Sequence, residues 1–345
     1  DDFTGETFVD SIFYKEGEDS FFINHFEANL KRLVDGDELN IQSDILDAQI
    51  KGKVDFDLIA DNVLYQASRI FPVFFTEMEP SVDPNSNFSY NFEVQNLNPI
   101  MAIFAPQLEI ADQTRISGAY NGGNNTFDLH INSQQITYGD YTFNNLRLFQ
   151  ELHRGELLAF YRVESLDRKD SLVLRDIRFT NIAANSFMDS HLIVHDKRNS
   201  RSNLEWQTLI FDTDGFDIDV LPSFFTINNH RWDLREQAHV NFSGDCFLIE
   251  NFRLEREEQY IDIKGQVSRV PTDFLQIEVN NLDLEDVAAL LLPDQRISGR
   301  ADISGVLKDP YETIKFSGIS EIENLVIDDT QVGNIGFIAD FDPIE

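Results

Sequence analysis

Residues 275–279 read LQIEV, so that Leu275, Ile277 and Val279 alternate with Gln276 and Glu278. A β-strand points successive side chains to opposite faces, and this alternation therefore indicates one apolar and one polar face. A parallel sheet buried on both faces would instead carry continuous apolar runs. The stretch predicts a strand of an antiparallel sheet that is dry on one face and wetted on the other.

The same alternation recurs in Phe216–Val220, Val240–Phe242 and Ile261–Ile263, with Asp-Gly and Ser-Gly-Asp turns between the strands. Many short strands joined by tight turns indicate a meander. We therefore expect an all-β fold: an elongated, twisted, taco-shaped, open antiparallel sheet with an apolar groove and a few short helices.

Three segments have apolar residues at helical spacing, and a proline follows each within two residues. They are Asp57–Phe71, Pro99–Phe104 and Leu284–Leu292. We divide the chain into a β region over 1–80 with the helix at 57–71, a repeat-like β region over 81–199, and a β region over 200–345 with the helix at 284–292. Together they are interpreted as one continuous elongated module, a fragment of a longer chain.

An internal repeat supports this organisation. Glu93–Ile103 reads EVQNLNPIMAI and Glu278–Ala288 reads EVNNLDLEDVA; each leads through a short helix to the tetrapeptide RISG, at 115–118 and 296–299. A unit of strand, short helix and RISG strand therefore occurs twice.

A shorter phrase also recurs: apolar, any, Asn or Asp, apolar, any, apolar. In a regular strand its first apolar residue would face away from the last two. Asn and Asp tolerate bulge and turn conformations, so the phrase predicts a local bulge or a tight turn at that position. It occurs at Phe143–Leu148, Leu174–Phe179, Ile249–Leu254, Ile322–Ile327 and Val332–Phe337.

Charge and composition exclude several classes of function. The chain carries 27 Lys and Arg against 61 Asp and Glu, a formal net charge of -34. This balance argues against a nucleic-acid partner, which needs a basic footprint, and against lying flat on an anionic membrane leaflet. The single cysteine, Cys246, excludes an intrachain disulfide, and the sequence has no apolar run long enough to span a bilayer.

The stretch from Phe225 to Phe341 resembles the repetitive β region of TamB-like proteins of the AsmA-like family. The resemblance rests on Phe225-x-Ile227, Trp232-x-Leu234, the phrases IENFRL at 249–254 and IDIKG at 261–265, a strand ending in Asn-Leu-Asp, the short helix, RISG and Asp309-Pro310. The N-terminal half resembles the family more loosely, through ELNIQSDILDAQIKG at 38–52 and its own RISG.

The resemblance implies a taco-shaped sheet with an apolar concave face in the periplasm of a Gram-negative cell envelope. It also implies anchoring to the inner membrane through a segment not in this chain, and an Omp85-type outer-membrane barrel, TamA-like, as partner. The implied roles are phospholipid transport between the membranes and assembly of the outer membrane. The resemblance carries no catalytic residues.

The residues independently favour a lipid-binding groove. An apolar sheet face needs cover, and no predicted helix is long enough to provide it. Phospholipid acyl chains suit such a face because their burial is non-directional. We expect the groove to be lined by Phe225, Ile227, Val240, Phe242, Ile261, Ile263, Leu275, Ile277, Val279, Ala301, Ile303, Ile314 and Phe316.

Two other readings stay open: a structural or adhesive β-solenoid that binds protein or glycan, and a carbohydrate-active β-enzyme. Of these possibilities we favour a protein that is not an enzyme, and we expect it to bind no cofactor and no metal ion.

The residues that could suggest a metal site or catalysis do not favour one. Asp212–Asp219 has oxygen ligands at alternate positions but lacks EF-hand spacing, which favours a hairpin. His191 and His195 would lie about 13 Å apart on a strand, too far for one metal ion. Cys246 has no catalytic signature around it.

Overall fold

The computed structural model describes residues 4–16, 19–33, 36–55, 59–75, 84–169, 171–291, 295–308 and 315–341. They cluster into two compact units: unit 1 is Asp1–Ser186 with Ile193–Asn199, and unit 2 is Phe187–Leu192 with Ser200–Glu345. The predicted boundary between residues 80 and 81 falls outside the described residues. The three predicted regions and their continuity as one module stay predictions.

Unit 1 is an antiparallel meander with a separate hairpin, β2–β3. Its strands pair in the order β1, β4, β5, β6, β7, β9, β10, β11, β12 and β13, and β8 pairs beside β9 on β10. The strands are β1 (Thr4–Val9), β2 (Ile12–Glu16), β3 (Asp19–Ile23), β4 (Phe26–Leu33), β5 (Gly36–Ser43), β6 (Leu46–Lys53), β7 (Asn87–Val94), β8 (Leu108–Ile110), β9 (Arg115–Asn121), β10 (Thr126–Tyr138), β11 (Tyr141–His153), β12 (Glu156–Arg168) and β13 (Ser171–Ala184); residues of β14 (Phe187–Asp196) belong to both units.

Unit 2 is also antiparallel. Four of its short strands form two end-to-end pairs, and each pair takes the place of one long strand. β16 and β17 both pair with β15, whereas β19 and β18 both pair with β20. From β20 onward each strand pairs with the next, up to β25. The strands are β15 (Arg201–Asp212), β16 (Gly215–Val220), β17 (Ser223–Ile227), β18 (His230–Leu234), β19 (Ala238–Ser243), β20 (Cys246–Arg256), β21 (Gln259–Val267), β22 (Phe274–Asp283), β23 (Ile297–Lys308), β24 (Lys315–Ile327) and β25 (Thr330–Phe341).

The helices lie close to their predicted positions. They are α1 (Ile59–Ile70), a 3₁₀ turn (Pro72–Phe75), α2 (Asn98–Phe104) and α3 (Leu284–Leu291). In both copies of the repeat, a strand leads into a short helix and RISG begins a later strand that pairs with the first, β7 with β9 and β22 with β23. The prediction of an all-β, open antiparallel fold with a few short helices is confirmed.

The recurring phrase forms a bulge at Asn251 on β20 and at Asn324 on β24, where the strand pairing changes register, and the register changes again at Gly333 on β25. At Asn145 and Asp176 the predicted bulge is wrong for the pairings of β11 with β10 and β12 and of β13 with β12, which keep their register at these positions. The Asn or Asp residue of the phrase has a positive φ at Asn145, Asp176, Asn251 and Asn324, whereas in the fifth copy the positive φ belongs to Gly333. Asn and Asp tolerate this left-handed conformation better than other residues with a side chain. At Asn251 and Asn324 the bulge inserts a residue, so that the first apolar residue of the phrase shares a face with the last two.

Candidate functional site

The apolar face of unit 2 is built by cross-strand rows. Val279 on β22 pairs with Ile261 on β21 and Ile303 on β23, and Ile277 pairs with Ile263. The bulge at Asn251 shifts the register between β20 and β21, which brings Ile249, Phe252 and Leu254 opposite Gly265, Ile263 and Ile261. Directly opposed residues share a face, so apolar side chains run across four consecutive strands.

The floor of this face is a packed cluster of Trp232, Val279 and Leu282, all buried. Five of the predicted groove residues pack against it while staying half-buried: Phe225, Ile227, Ile261, Ile277 and Ile303. The structure thus brings together residues from β17, β21, β22 and β23 that are up to 78 positions apart, Phe225 to Ile303. Sequence reasoning missed Trp232 as the centre of this cluster.

The remaining predicted groove residues extend the same face. Val240 pairs with Ile218, and the rings of Phe242 and Phe216 stack with centroids 5.1 Å apart. At the other side, Leu307 pairs with both Leu275 and Phe316. Ala301 is buried opposite Leu282. Ile314 lies outside the described residues.

The opposite face of the same strands is polar. Asp262 pairs with Glu278, and Lys264 pairs with Gln276. Arg253 holds Asp262 at 3.4 Å and Glu255 at 2.6 Å across this face. Residues 275–279 therefore place their apolar side chains on one face and their polar side chains on the other, as their alternation predicts.

A buried carboxylate holds α3 against the strands of unit 2. Asp286 is 2% exposed, and its carboxylate lies 2.8 Å from Arg256 Nη1 and 2.9 Å from His230 Nδ1. The Asn228 side chain also donates a hydrogen bond to the Glu285 carbonyl at 3.1 Å. These contacts fix the helix over the ends of β17, β18 and β20, and no spacing in the sequence indicates them.

Unit 1 has a second apolar surface, and here a helix does cover the sheet, contrary to the expectation that no helix would. α1 and the strands β6, β7 and β9 to β12 enclose a half-open cavity of about 530 Å³. A 12-residue helix suffices because it covers only part of the face. The cavity is lined by Ile50, Asn62, Gln66, Ala67, Ile70, Phe71, Phe88, Tyr90, Phe92, Ile116, Tyr120, Phe127, Leu129, Gln150, Leu152 and Leu157.

Tyr90 shows how apolar this cavity is. Burial, with a smaller contribution from the negative charge of Asp128, raises the pKa of the Tyr90 phenol to about 12. Its hydroxyl donates a hydrogen bond to the Asp128 backbone carbonyl at 2.7 Å. Loss of the proton would leave a charge in surroundings that cannot solvate it.

We expect Gln66→Leu to raise the free energy of unfolding by about 1–2 kcal/mol, measured by chemical denaturation, because a buried unpaired amide is unfavourable by about that much. Gln66 is 5% exposed, and neither its Nε2 nor its Oε1 has a hydrogen-bond partner among the described residues. Gln42→Leu, at an exposed position of β5, is the control and should change stability little. Destabilisation by Gln66→Leu would show that the amide is hydrogen-bonded in solution.

The other candidates of the sequence analysis lie in regular strands. β15 ends at Asp212, a turn follows, and β16 begins at Gly215, as the hairpin interpretation predicts. His191 and His195 lie on β14, and Cys246 begins β20. Within the described ranges, no group of three or more His, Cys, Asp or Glu side chains is placed to hold a metal ion.

No family model, curated protein or solved structure matches this chain. None of the helices in the described part of the chain is long and apolar enough to cross a membrane.

Proposed function

We propose that this protein is a lipid conduit that shields acyl chains along the apolar face of unit 2. The observation that carries the proposal is the set of apolar rows across β20 to β23, whose side chains are half-buried around a packed floor. An apolar ligand that covers half-buried apolar side chains removes more of their surface from water, which is favourable. Acyl chains are such a ligand, at roughly 0.8 kcal/mol for each buried CH₂ group.

The chemistry of the face also suits movement of lipid. The cross-strand partners of Ile261, Ile263, Ile277 and Val279 on this face are apolar residues or glycine, Gly305 opposite Ile277. Hydrophobic burial has no preferred direction, so an acyl chain loses little free energy when it slides by one strand. Asp262, Lys264 and Glu278 of the same strands lie on the other face, whereas Arg256 at the end of β20 is neutralised by the buried Asp286.

The cavity of unit 1 supports the same proposal. Its volume of about 530 Å³ lies within the roughly 300–1,000 Å³ range of small-molecule sites. Aromatic side chains of β7 and β9 form much of its wall, with Phe88 and Tyr120 centroids 5.5 Å apart. An acyl chain can thus be held under α1 as well as on the face of unit 2.

In this proposal the protein lies in the periplasm and is anchored to the inner membrane by a segment outside this sequence. It passes phospholipid to an Omp85-type outer-membrane barrel and so supports assembly of the outer membrane. The support for this placement is the resemblance of residues 225–341 to TamB-like proteins of the AsmA-like family.

The test places a charge on the apolar face. The purified chain, with a photo-crosslinking residue in place of the half-buried Phe316, is mixed with vesicles of labelled phosphatidylethanolamine. We expect Ile263→Asp and Ile277→Arg each to reduce crosslinked lipid about tenfold, because an unpaired charge in an acyl path is unfavourable by more than 1.4 kcal/mol.

The matched control is Glu278→Arg, one residue from Ile277 and on the polar face beside Asp262. It introduces the same side chain as Ile277→Arg and should leave crosslinking within about twofold, since the residue stays solvated. Equal crosslinking in all variants would refute the conduit and favour a structural or adhesive sheet.

A further inference from the structure

A row of arginines crosses the polar face of unit 1. Arg147 on β11 pairs directly with Arg162 on β12, which pairs with Arg178 on β13. The row continues in the other direction through Asn132 on β10 to Arg115 on β9. Like charges directly opposite one another destabilise a sheet, so this register is unfavourable unless anions compensate it.

The carboxylates of the protein compensate this row only in part. Arg115 at its end pairs with Glu93 at 3.4 Å. Asp176 is shared by Arg178 at 2.8 Å and Arg162 at 3.6 Å, and His195 Nδ1 lies 3.7 Å from it. Among the described residues, Arg147 and the nearby Arg175 have no ion pair and no hydrogen bond. Unpaired guanidinium groups are unexpected in a chain with 61 acidic residues and 27 basic ones.

The row lies in a depression of the surface. Arg147, Arg162, Arg175 and Arg178 line a space of about 930 Å³. A second depression, of about 310 Å³, is lined by Arg115 and Arg147, so the two adjoin at Arg147. Together they follow the row across five strands, β9 to β13.

Two of the three acidic residues in the larger depression, Glu164 and Asp167, are held by neighbouring amides. Asn145 donates a hydrogen bond to Glu164 at 2.6 Å, and Asn144 donates one to Asp167 at 2.7 Å. Four arginines therefore face three carboxylates, Glu164, Asp167 and Asp176. The negative charge of the rest of the chain is largely screened at this surface, because the Debye length is about 8 Å at physiological ionic strength.

The register separates this surface from the apolar cavity. The row next to the arginines consists of Ile131, Leu148, Tyr161 and Phe179, which point to the other face of the sheet. A molecule that contacts the arginines therefore does not contact the acyl surface of the same strands.

We propose that the row Arg115, Arg147, Arg162 and Arg178, assisted by Arg175, binds a linear polyanion of the phosphate class that lies across the strands. Adjacent strands are about 4.8 Å apart, so the row presents guanidinium groups along a line of roughly 20 Å. Guanidinium groups match phosphate oxygens in bidentate geometry. A single phosphate engages one or two of these arginines, whereas a chain of phosphates engages the whole row.

The test is titration calorimetry of the purified chain with inorganic orthophosphate, triphosphate and longer polyphosphate at low salt. We expect affinity to rise at least tenfold from orthophosphate to a chain long enough for four arginines, and to rise little beyond that length. Arg147→Gln and Arg162→Gln should each lower the affinity for the long chain about tenfold. Arg253→Gln, on the polar face of unit 2 where Glu255 and Asp262 already pair with the arginine, is the control and should have no effect.

Three results would overturn the proposal. Equal affinity for orthophosphate and polyphosphate would mean a single-anion site. Equal losses in the Arg147 and Arg253 variants would mean non-specific attraction. Binding only to vesicles that contain phosphatidylglycerol, abolished by Arg147→Gln, would mean that the row recognises a lipid surface and not a soluble polyanion.

Discussion

Trp232→Ala is expected to lower the free energy of unfolding by about 3–5 kcal/mol, the usual range for removal of a buried tryptophan. Trp232 is 2% exposed and forms the cluster on which Val279, Leu282 and the half-buried groove residues pack. Its removal leaves a cavity beneath the apolar face that a β-sheet can close only partly. Guanidinium denaturation followed by far-ultraviolet circular dichroism measures the change.

Trp232→Phe is the matched variant. The indole Nε1 is buried and has no hydrogen-bond partner among the described residues, so the ring alone contributes to stability. Phenylalanine retains most of the apolar contact and removes the unpaired donor, and we expect a loss below about 1.5 kcal/mol. If Trp232→Ala also lowered the free energy of unfolding by less than about 1 kcal/mol, the floor of the face would not be packed in solution.

The second large effect is expected at Gly265, where substitution by alanine should destabilise the protein by about 3 kcal/mol or more. Gly265 has a φ of +117°, and a Cβ there would lie 2.3 Å from the Phe274 carbonyl oxygen. Gly265 and Leu275 are partners within the β21–β22 pairing, so the neighbouring backbone cannot move away without breaking the strand pair. Thermal unfolding and the midpoint of chemical denaturation report the change.

Gly336→Ala is the control, because a Cβ at Gly336 on β25 meets no atom within 4 Å. It should leave stability within about 0.5 kcal/mol. Gly52 on β6 repeats the geometry of Gly265, with a φ of +130° and a Cβ position 2.2 Å from the Asn87 carbonyl oxygen, and Gly52→Ala should behave like Gly265→Ala. If Gly265→Ala were as stable as Gly336→Ala, the close approach of β21 and β22 would be wrong.

Both glycines end the tripeptide Ile-Lys-Gly, at 50–52 and 263–265. In the sequence, the tripeptide is part of the resemblance to TamB-like proteins and has no structural meaning by itself. The structure gives it a physical meaning: a close approach of neighbouring backbones that excludes any side chain.

Local patterns in the sequence sufficed for the class of the fold. Alternation in residues 275–279 separates the two faces, because successive side chains of a strand point in opposite directions whatever the strand pairs with. The recurring phrase predicts the bulge at Asn251 for a similar reason, since the left-handed conformation depends on the residue itself. The helices α1, α2 and α3 were predictable from apolar spacing and from the prolines that follow.

Contacts between distant strands were decided by the tertiary structure alone. Nothing local to Trp232 marks it as the floor of the face, nothing local to Asp286 pairs it with Arg256, and α1 gives no sign of the strands that it covers. The arginine row depends in the same way on the register that sets Arg147 opposite Arg162 and Arg162 opposite Arg178. Periodicity assigns each side chain to a face, whereas its neighbours across the sheet are fixed by strand pairing and turn geometry over the whole unit.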